Sequence, residues 1–232
     1  MLLTKREVFE LTGLGGYRLV NHILRMRLLI GLISRHFPKG AALADIGCAA
    51  GDLAIELQAL GFQMTGVDYE PERVTKARAA ARKRDLDVRF ITKDLRNVEH
   101  VAQFDGIIMG EVLEHFVQPK SVLQEHLEFL KPGGKVVITV PNMASLRARL
   151  KLLAFGEFAD HNPEHRYYFT RRRFREHFLE AQVEIIELFS FLVEVTLPNH
   201  ELSARMERAI LSPLLRVAPW CGSHLVAVVR KL

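Results

Sequence analysis

The sequence of 232 residues is poor in cysteine: it has only two, Cys48 and Cys221. Two cysteines that stand so far apart in sequence indicate neither a disulfide framework nor a thiolate zinc site. We therefore expect a reducing, cytoplasmic setting for this protein.

Long hydrophobic runs are missing as well. The most apolar early segment, residues 28–33, is six residues long and follows Arg25 and Arg27. A helix that crosses a bilayer needs about 20 apolar residues, so this segment is too short. The sequence predicts neither a signal peptide nor a transmembrane segment.

The overall composition is that of an ordinary globular protein, with 49% hydrophobic and 25% charged residues. This length and composition predict one domain with a sizeable core. The formal net charge of +5 suits an anionic substrate, nucleic acid or a membrane surface, without choosing among them.

Apolar runs alternate with segments of helical periodicity up to residue 141. Strands are predicted at 41–47, 62–69, 87–92, 104–110 and 135–141, and helices at 17–37, 52–61, 71–84 and 120–130. A turn is predicted at Pro132, Gly133 and Gly134. After residue 141 we predict an insertion at 142–170, a basic helix at 171–181, a strand at 183–194, an amphipathic helix at 201–217 and a last strand at 224–231.

This alternation predicts an α/β fold in which a doubly wound, mostly parallel sheet of seven strands carries helices on both faces. We expect a single domain over residues 1–232. Its parts are an N-terminal helical cap (1–38), a cofactor-binding core (40–141), the insertion with the basic helix (142–182), and the C-terminal strands and helix (183–232).

The ends of the first two predicted strands carry the first chemical signal. The segment DIGCAAG, residues 45–51, places small residues in a turn directly before a helix, so its backbone can approach a ligand closely. A dinucleotide fingerprint would need Gly-x-Gly-x-x-Gly or Ala, and Ala49 and Asp52 break it, which disfavours an oxidoreductase. The next strand ends in Asp68, whose carboxylate can bind both hydroxyls of a ribose.

The motifs together resemble those of class I S-adenosylmethionine-dependent methyltransferases. The segments LADIGCAAGDLAIEL, GVDYEPE, TKDL, FDGIIMGEVLEHF and LKPGGKVVITVPN are similar, in this order, to the motifs of that family. The closer resemblance is to a bacterial group that acts in quinone biosynthesis and in methylation of cell-surface glycans. Ala49 stands where a glycine is commoner in the family.

The resemblance implies S-adenosylmethionine as the cofactor and a Rossmann-like sheet. It places the glycine-rich turn beside the methionine part of the cofactor, Asp68 at the ribose, and Asp94 with Leu95 around the adenine. The implied cofactor-binding residues are Asp45, Gly47, Cys48, Ala49, Gly51, Asp68, Tyr69, Asp94, Leu95, Gly110 and Glu111.

The segment EVLEHF, residues 111–116, leaves three interpretations open. On a helix, Glu111, Glu114 and His115 would share one face. They could form a pocket wall at a helix start, or His115 could be a general base that Glu111 or Glu114 orients. In the third interpretation Glu111, Glu114 and His115, with His165 moving in from the insertion, bind a divalent cation, as in the small-RNA terminal 2′-O-methyltransferases that this pattern resembles. We expect no metal.

The function that we predict is methyl transfer to a small-molecule or glycan-type acceptor at oxygen. Candidate substrate residues are Tyr17, His165 and Arg166. Nucleic acid is disfavoured because no separate RNA-binding module is visible. A metal-assisted RNA 2′-O-methyltransferase and a non-catalytic cofactor-binding protein are the alternatives. Peripheral membrane contact of the N-terminal helix stays open, as does the choice between monomer and homodimer.

Overall fold

The computed structural model describes residues 8, 10, 12, 16–93, 104–156, 162–181, 183–191, 218 and 220–232. Its helices are α1 (Gly16–His36), α2 (Asp52–Ala59), α3 (Pro71–Lys83), α4 (Pro119–Leu127), α5 (Leu146–Phe155) and α6 (Arg171–Glu180). Its strands are β1 (Ala42–Ile46), β2 (Gln63–Asp68), β3 (Arg89–Thr92), β4 (Phe104–Gly110), β5 (Leu130–Pro141), β6 (Val183–Phe191) and β7 (His224–Lys231). A short 3-10 turn covers Leu113–His115.

The seven strands form one sheet in the order β3-β2-β1-β4-β5-β7-β6. Strand β1 pairs in parallel with β2 and with β4, and β2 pairs in parallel with β3. The predicted α/β fold with a mostly parallel sheet is therefore confirmed. The turn predicted at residues 132–134 is a local feature inside β5, where Gly133 takes a positive φ of 73°.

The strand register brings three strand ends to one edge of the sheet. Ile46, the last residue of β1, is level with Val67 of β2 and with Met109 of β4. The strand order reverses between β1 and β4, and ligands of open α/β sheets bind at such a switch point. The glycine-rich turn, Asp68 and Gly110 all lie at this edge.

The helix ends follow local sequence signals. Pro71 occupies the first turn of α3, where its missing N–H is not needed, and Arg82 and Lys83 lie in the last turn, where the helix dipole favours positive charge. Ser145 caps α5 by accepting the N–H of Ala148, and Thr170 caps α6 in the same way.

The central strands form the core, and their sequences are apolar without alternation. Ile107, Ile108 and Met109 of β4 are fully buried, as are residues 136–138 of β5 and 225–229 of β7. Strands that are buried on both faces have this composition.

The described residues divide into two compact units. The first comprises residues 1–110, 125–137 and 231, and the second comprises residues 111–124, 138–230 and 232. The single-domain boundaries given above stay a prediction, and the amphipathic helix predicted at 201–217 lies outside the described residues. In the part of the chain that the structure describes, no helix is both long and apolar enough to cross a membrane.

Gly51, in the turn between β1 and α2, has no room for a side chain. Its φ is +79°, and a Cβ there would lie 2.7 Å from Phe90 Cζ and 2.8 Å from Ala77 Cβ. Gly40 has a similar φ of +83° in open space, and Gly31 lies in α1 with open space around it. Alanine substitutions at these three glycines can therefore distinguish the cost of backbone strain from the cost of steric overlap.

We expect Gly51→Ala to lower the free energy of unfolding by about 3 kcal/mol, because overlap adds to left-handed strain. Gly40→Ala should lower it by about 1 kcal/mol through strain alone. Gly31→Ala should raise it by about 0.8 kcal/mol through helix propensity. Urea unfolding of the three variants measures these differences, and equal values for Gly51→Ala and Gly40→Ala would refute the close packing at Gly51.

Candidate active site

The turn after β1 is built from three residues with a left-handed backbone. Gly47, Ala49 and Gly51 have φ values of 72°, 47° and 79°. The N–H groups of Gly47 and Cys48 donate to the carbonyl of Val67 in β2, at 2.8 and 3.0 Å. The turn is therefore bound to the end of the neighbouring strand.

Ala49 takes the left-handed conformation although it has a side chain. This conformation costs a non-glycine residue about 1–2 kcal/mol. Its N–H donates to Asp68 Oδ2 at 2.8 Å, which holds the backbone in place. The strain explains why glycine is the easier residue at the position where this sequence departs from the family motif.

Asp68 ends β2 and is only 2% exposed. Its second oxygen, Oδ1, accepts the N–H of Glu70 at 3.0 Å. A carboxylate offers about four acceptor positions, so two backbone N–H groups leave capacity for the two hydroxyls of a ribose. The neighbouring Tyr69 is 58% exposed, and its hydroxyl donates to Glu70.

Three buried carboxyl groups, those of Asp45, Asp52 and Asp68, lie around this turn. Burial raises the pKa of Asp45 well above its usual value, and the charges of Asp52 and Asp68 raise it further. Burial and the same carboxylates also raise the pKa of the Cys48 thiol, which disfavours a reactive thiolate. His22 of α1 contacts Asp52 Oδ2 through Nε2. The electrostatics of this turn suit a cationic ligand.

The segment EVLEHF does not form the predicted helical turn. Glu111 has a left-handed backbone with a φ of 59°, and the helical residues are only Leu113–His115, in 3-10 geometry. Gly110 is still part of β4, so the left-handed residue Glu111 directly follows the strand. The α-helical spacing that would place Glu111, Glu114 and His115 on one face is therefore wrong.

Glu111 instead contacts two side chains that the sequence analysis did not select. The hydroxyl of Thr139 in β5 donates to Glu111 Oε1 at 3.0 Å, and His224 Nε2, at the start of β7, lies 3.5 Å from Glu111 Oε2. The sequence signals for Thr139 and His224 are weak. Thr139 is a polar residue inside the apolar run VVITV, and His224 immediately precedes the run LVAVV.

Glu114, His115 and His165 form a compact cluster in the second unit. One possible ligand atom from each residue lies within 4.8 Å of the others, and the two imidazole rings meet edge to face at 4.9 Å. The carbonyl of Glu114 accepts the N–H groups of Arg166 and Tyr167, at 2.8 and 3.0 Å. His165 thus lies beside His115 already, and the predicted movement from the insertion is not needed.

The surroundings of His115 lower its pKa from the usual 6.5. Burial is the largest cause, and the nearby His165 charge acts in the same direction. The charge and backbone of Glu164 and the charge of Glu111 oppose the shift. A histidine with a lowered pKa is neutral at physiological pH and can accept a proton.

The structure describes only some of the remaining predicted site residues. Arg166 is exposed, and Asp94 and Leu95 lie outside the described residues. Tyr17 belongs to α1, but its side chain is not among those described.

Phe169, from the aromatic segment after His165, is 1% exposed and packs edge to face on Phe174. It is a core residue.

Residues 20–188 match the family of proteins described as "Methyltransferase domain". This match covers most of the chain, which therefore belongs to that family. The predicted class, the class I S-adenosylmethionine-dependent methyltransferases, is confirmed by this match and by the sheet.

Particular relatives can be named beside the family. The ubiquinone biosynthesis O-methyltransferase of Xanthomonas axonopodis pv. citri (strain 306) is 31% identical over 123 residues, 52% of this chain and 52% of that protein. The chain thus spans about half the length of the curated relatives that it matches.

Solved structures share the fold. The PH0226 protein from Pyrococcus horikoshii OT3 aligns with a TM-score of 0.68 and 18% identity, over 98% of this chain and 97% of that one. Magnesium protoporphyrin IX methyltransferase (ChlM) from Synechocystis PCC 6803, solved with bound SAH, aligns with a TM-score of 0.67 and 14% identity, over 97% and 92%. At these identities the likeness concerns the fold alone.

Proposed function

We propose that this chain transfers a methyl group from S-adenosylmethionine to a hydroxyl oxygen of a small-molecule or glycan-type acceptor. The observation that supports cofactor use most is the aligned end of β1 and β2, where Asp68 accepts the N–H of Ala49 from the glycine-rich turn. Oxygen as the accepting atom is supported by the relatives named O-methyltransferases.

The residues of the first unit fit this cofactor. Asp68 would accept the ribose hydroxyls. The charges of Asp52 and Asp68, which raise the pKa of Asp45, would favour a positively charged ligand beside the turn. When bound, S-adenosylmethionine supplies a methyl group that is already activated by its sulfonium. The protein then has to orient the acceptor and exclude water, and orientation alone can lower a barrier by about 7–11 kcal/mol.

An acceptor hydroxyl must also lose its proton. We assign this step to His115, whose neutral ring can accept the proton of the acceptor hydroxyl. The ring of His115 is oriented by its hydrogen bond with the Glu164 backbone and by its edge-to-face contact with the ring of His165. The charge of Glu111 favours the protonated ring of His115. Glu114 precedes His115 in the 3-10 turn.

S-Adenosylhomocysteine should bind the protein and raise its melting temperature, because a ligand that is selective for the folded state stabilises that state. Asp68→Asn keeps the size of the side chain but removes its charge, and we expect affinity to fall about tenfold or more in calorimetry. Asp87→Asn, which changes an aspartate outside the turn, is the matched control. Unchanged affinity in Asp68→Asn would remove this residue from the ribose site, and lack of binding by the wild type would contradict cofactor use.

The rate of methyl transfer should fall as the pH is lowered, because only the neutral ring of His115 accepts a proton. The midpoint of this acid limb of the pH–rate profile should lie below pH 6.5, since the pKa of His115 is lowered. His165→Asn removes a charge that lowers this pKa, so the limb should move to higher pH. Glu164→Gln removes a charge that raises it, so the limb should move to lower pH. A pH–rate profile of kcat measures both shifts. Full activity of His115→Ala across the pH range would exclude His115 as the base.

A second candidate function follows from the Glu114, His115 and His165 cluster. A mixed carboxylate and imidazole set suits a divalent cation, which would supply a Lewis acid for the acceptor oxygen. This is the metal-assisted alternative, with RNA as its acceptor. Glu111 would not belong to the ligand set in the present geometry, because its carboxylate faces Thr139 and His224.

The two candidates predict opposite results for the same variant. If His165 binds a required cation, His165→Asn should abolish metal uptake and turnover while S-adenosylhomocysteine still binds. If His115 is the base, the variant should stay active with the shifted acid limb. Elemental analysis after dialysis against chelator, with turnover measured before and after, decides between them. An RNA acceptor would add affinity for short RNA that falls steeply with salt.

The identity of the acceptor belongs to the same proposal. Relatives named for ubiquinone biosynthesis favour an aromatic hydroxyl over a sugar hydroxyl. Transfer of labelled methyl groups to a panel of phenols, quinols and glycosides tests this order. Cofactor binding without transfer to any member would favour the non-catalytic alternative. The cytoplasmic location rests on the low cysteine number and stays a prediction.

A further inference from the structure

Four polar side chains of the second unit form a connected chain that methyl transfer as proposed above does not explain. Thr139 Oγ1 donates to Glu111 Oε1 at 3.0 Å, and Glu111 Oε2 lies 3.5 Å from His224 Nε2. The other ring nitrogen of His224, Nδ1, lies 3.0 Å from Ser223 Oγ. Residues from the β4 exit, from β5 and from the start of β7 thus meet at one carboxylate.

Glu111 is held in a conformation that it would not adopt alone. A left-handed backbone at a φ of 59° is unfavourable for a long side chain, and it persists only where the surroundings fix it. Thr139 supplies two such contacts, since its carbonyl accepts the N–H of Glu111 at 3.0 Å and its hydroxyl binds the carboxylate. Local strain of this kind is concentrated at ligand sites in proteins.

Burial differs along the chain of contacts. Thr139 is fully buried, whereas the side chains of Glu111 and His224 are 17% and 15% exposed. Thr139 therefore anchors one carboxylate oxygen from the interior. The side chains of Glu111 and His224 are partly exposed, so solvent or a ligand can reach part of each.

The distance between Glu111 Oε2 and His224 Nε2 is longer than the usual 2.7–3.2 Å of an N–H···O hydrogen bond. A hydroxyl group can donate to the carboxylate and accept from the imidazole N–H at the same time, whereas an ether oxygen can only accept. The imidazole carries its proton on Nε2 when the Ser223 hydroxyl donates to Nδ1.

We propose that Glu111 and His224 form a hydroxyl-binding subsite for the acceptor, in which Thr139 is the positioning residue of the Glu111 carboxylate. The inference rests on the proposed function, because it assumes an acceptor that carries a hydroxyl. It adds His224 and Thr139 to the residues that select this acceptor. It does not require His115 to be the base. A hydroxyl has one proton, so the hydroxyl bound in this subsite is not the one that His115 deprotonates.

The test uses phenol and anisole, which differ by replacement of the hydroxyl hydrogen with a methyl group. Full-length protein labelled with 15N-histidine is titrated with each compound in the presence of S-adenosylhomocysteine, and the His224 ring signals are assigned with His224→Gln. Phenol should shift the His224 signals, and anisole should bind about tenfold more weakly or not at all. Equal binding of the two compounds, or unchanged His224 signals, would overturn the subsite.

Thr139 provides the matched pair of variants. Thr139→Val keeps the shape and the backbone hydrogen bond to Glu111 but removes the hydroxyl, and it should weaken phenol binding about tenfold. Thr139→Ser should restore binding. If Thr139→Val binds phenol like the wild type, Thr139 does not position Glu111. Because the titration needs no turnover, it separates this subsite from the methyl transfer that calorimetry and the labelled-methyl assay examine.

Discussion

The hydrogen bond from the N–H of Ala49 to Asp68 joins the turn after β1 to the end of β2. The parallel register makes this contact available, since the last residues of β1 and β2 are level. The contact stabilises a left-handed alanine and leaves the carboxylate with acceptor capacity for hydroxyls. The proposed cofactor recognition by the first unit depends on this contact.

Buried carboxyl groups in the first unit oppose folding stability. Three carboxylates are buried around one turn, and the raised pKa of Asp45 shows that the folded state disfavours its charge. Such a raised pKa lowers folding stability as the pH rises above the pKa of the unfolded state. A cationic ligand relieves this repulsion. The arrangement thus agrees with the proposed binding of a sulfonium.

In the second unit, one carbonyl organises the candidate acceptor chemistry. The carbonyl of Glu114 accepts two consecutive N–H groups from Arg166 and Tyr167, which places His165 against His115. The same short turn leaves Glu111 directed to Thr139 and His224. The segment EVLEHF therefore contributes to two separate clusters. One holds the proposed base or cation site, and the other holds the proposed hydroxyl-binding subsite.

The sequence by itself determined the strand and helix alternation, the failed dinucleotide fingerprint and the family motifs, because buried parallel strands and glycine-rich turns impose local patterns on the residues. It also selected Asp68, His115 and His165. Only the tertiary structure decided that Glu111 is left-handed and pairs with Thr139 and His224. That choice depends on contacts between β5, β7 and the β4 exit, which are distant in sequence and leave no periodic signal. The helical spacing of Glu111, Glu114 and His115 assumes that the helix includes Glu111. The positive φ of Glu111 excludes this residue from a helix.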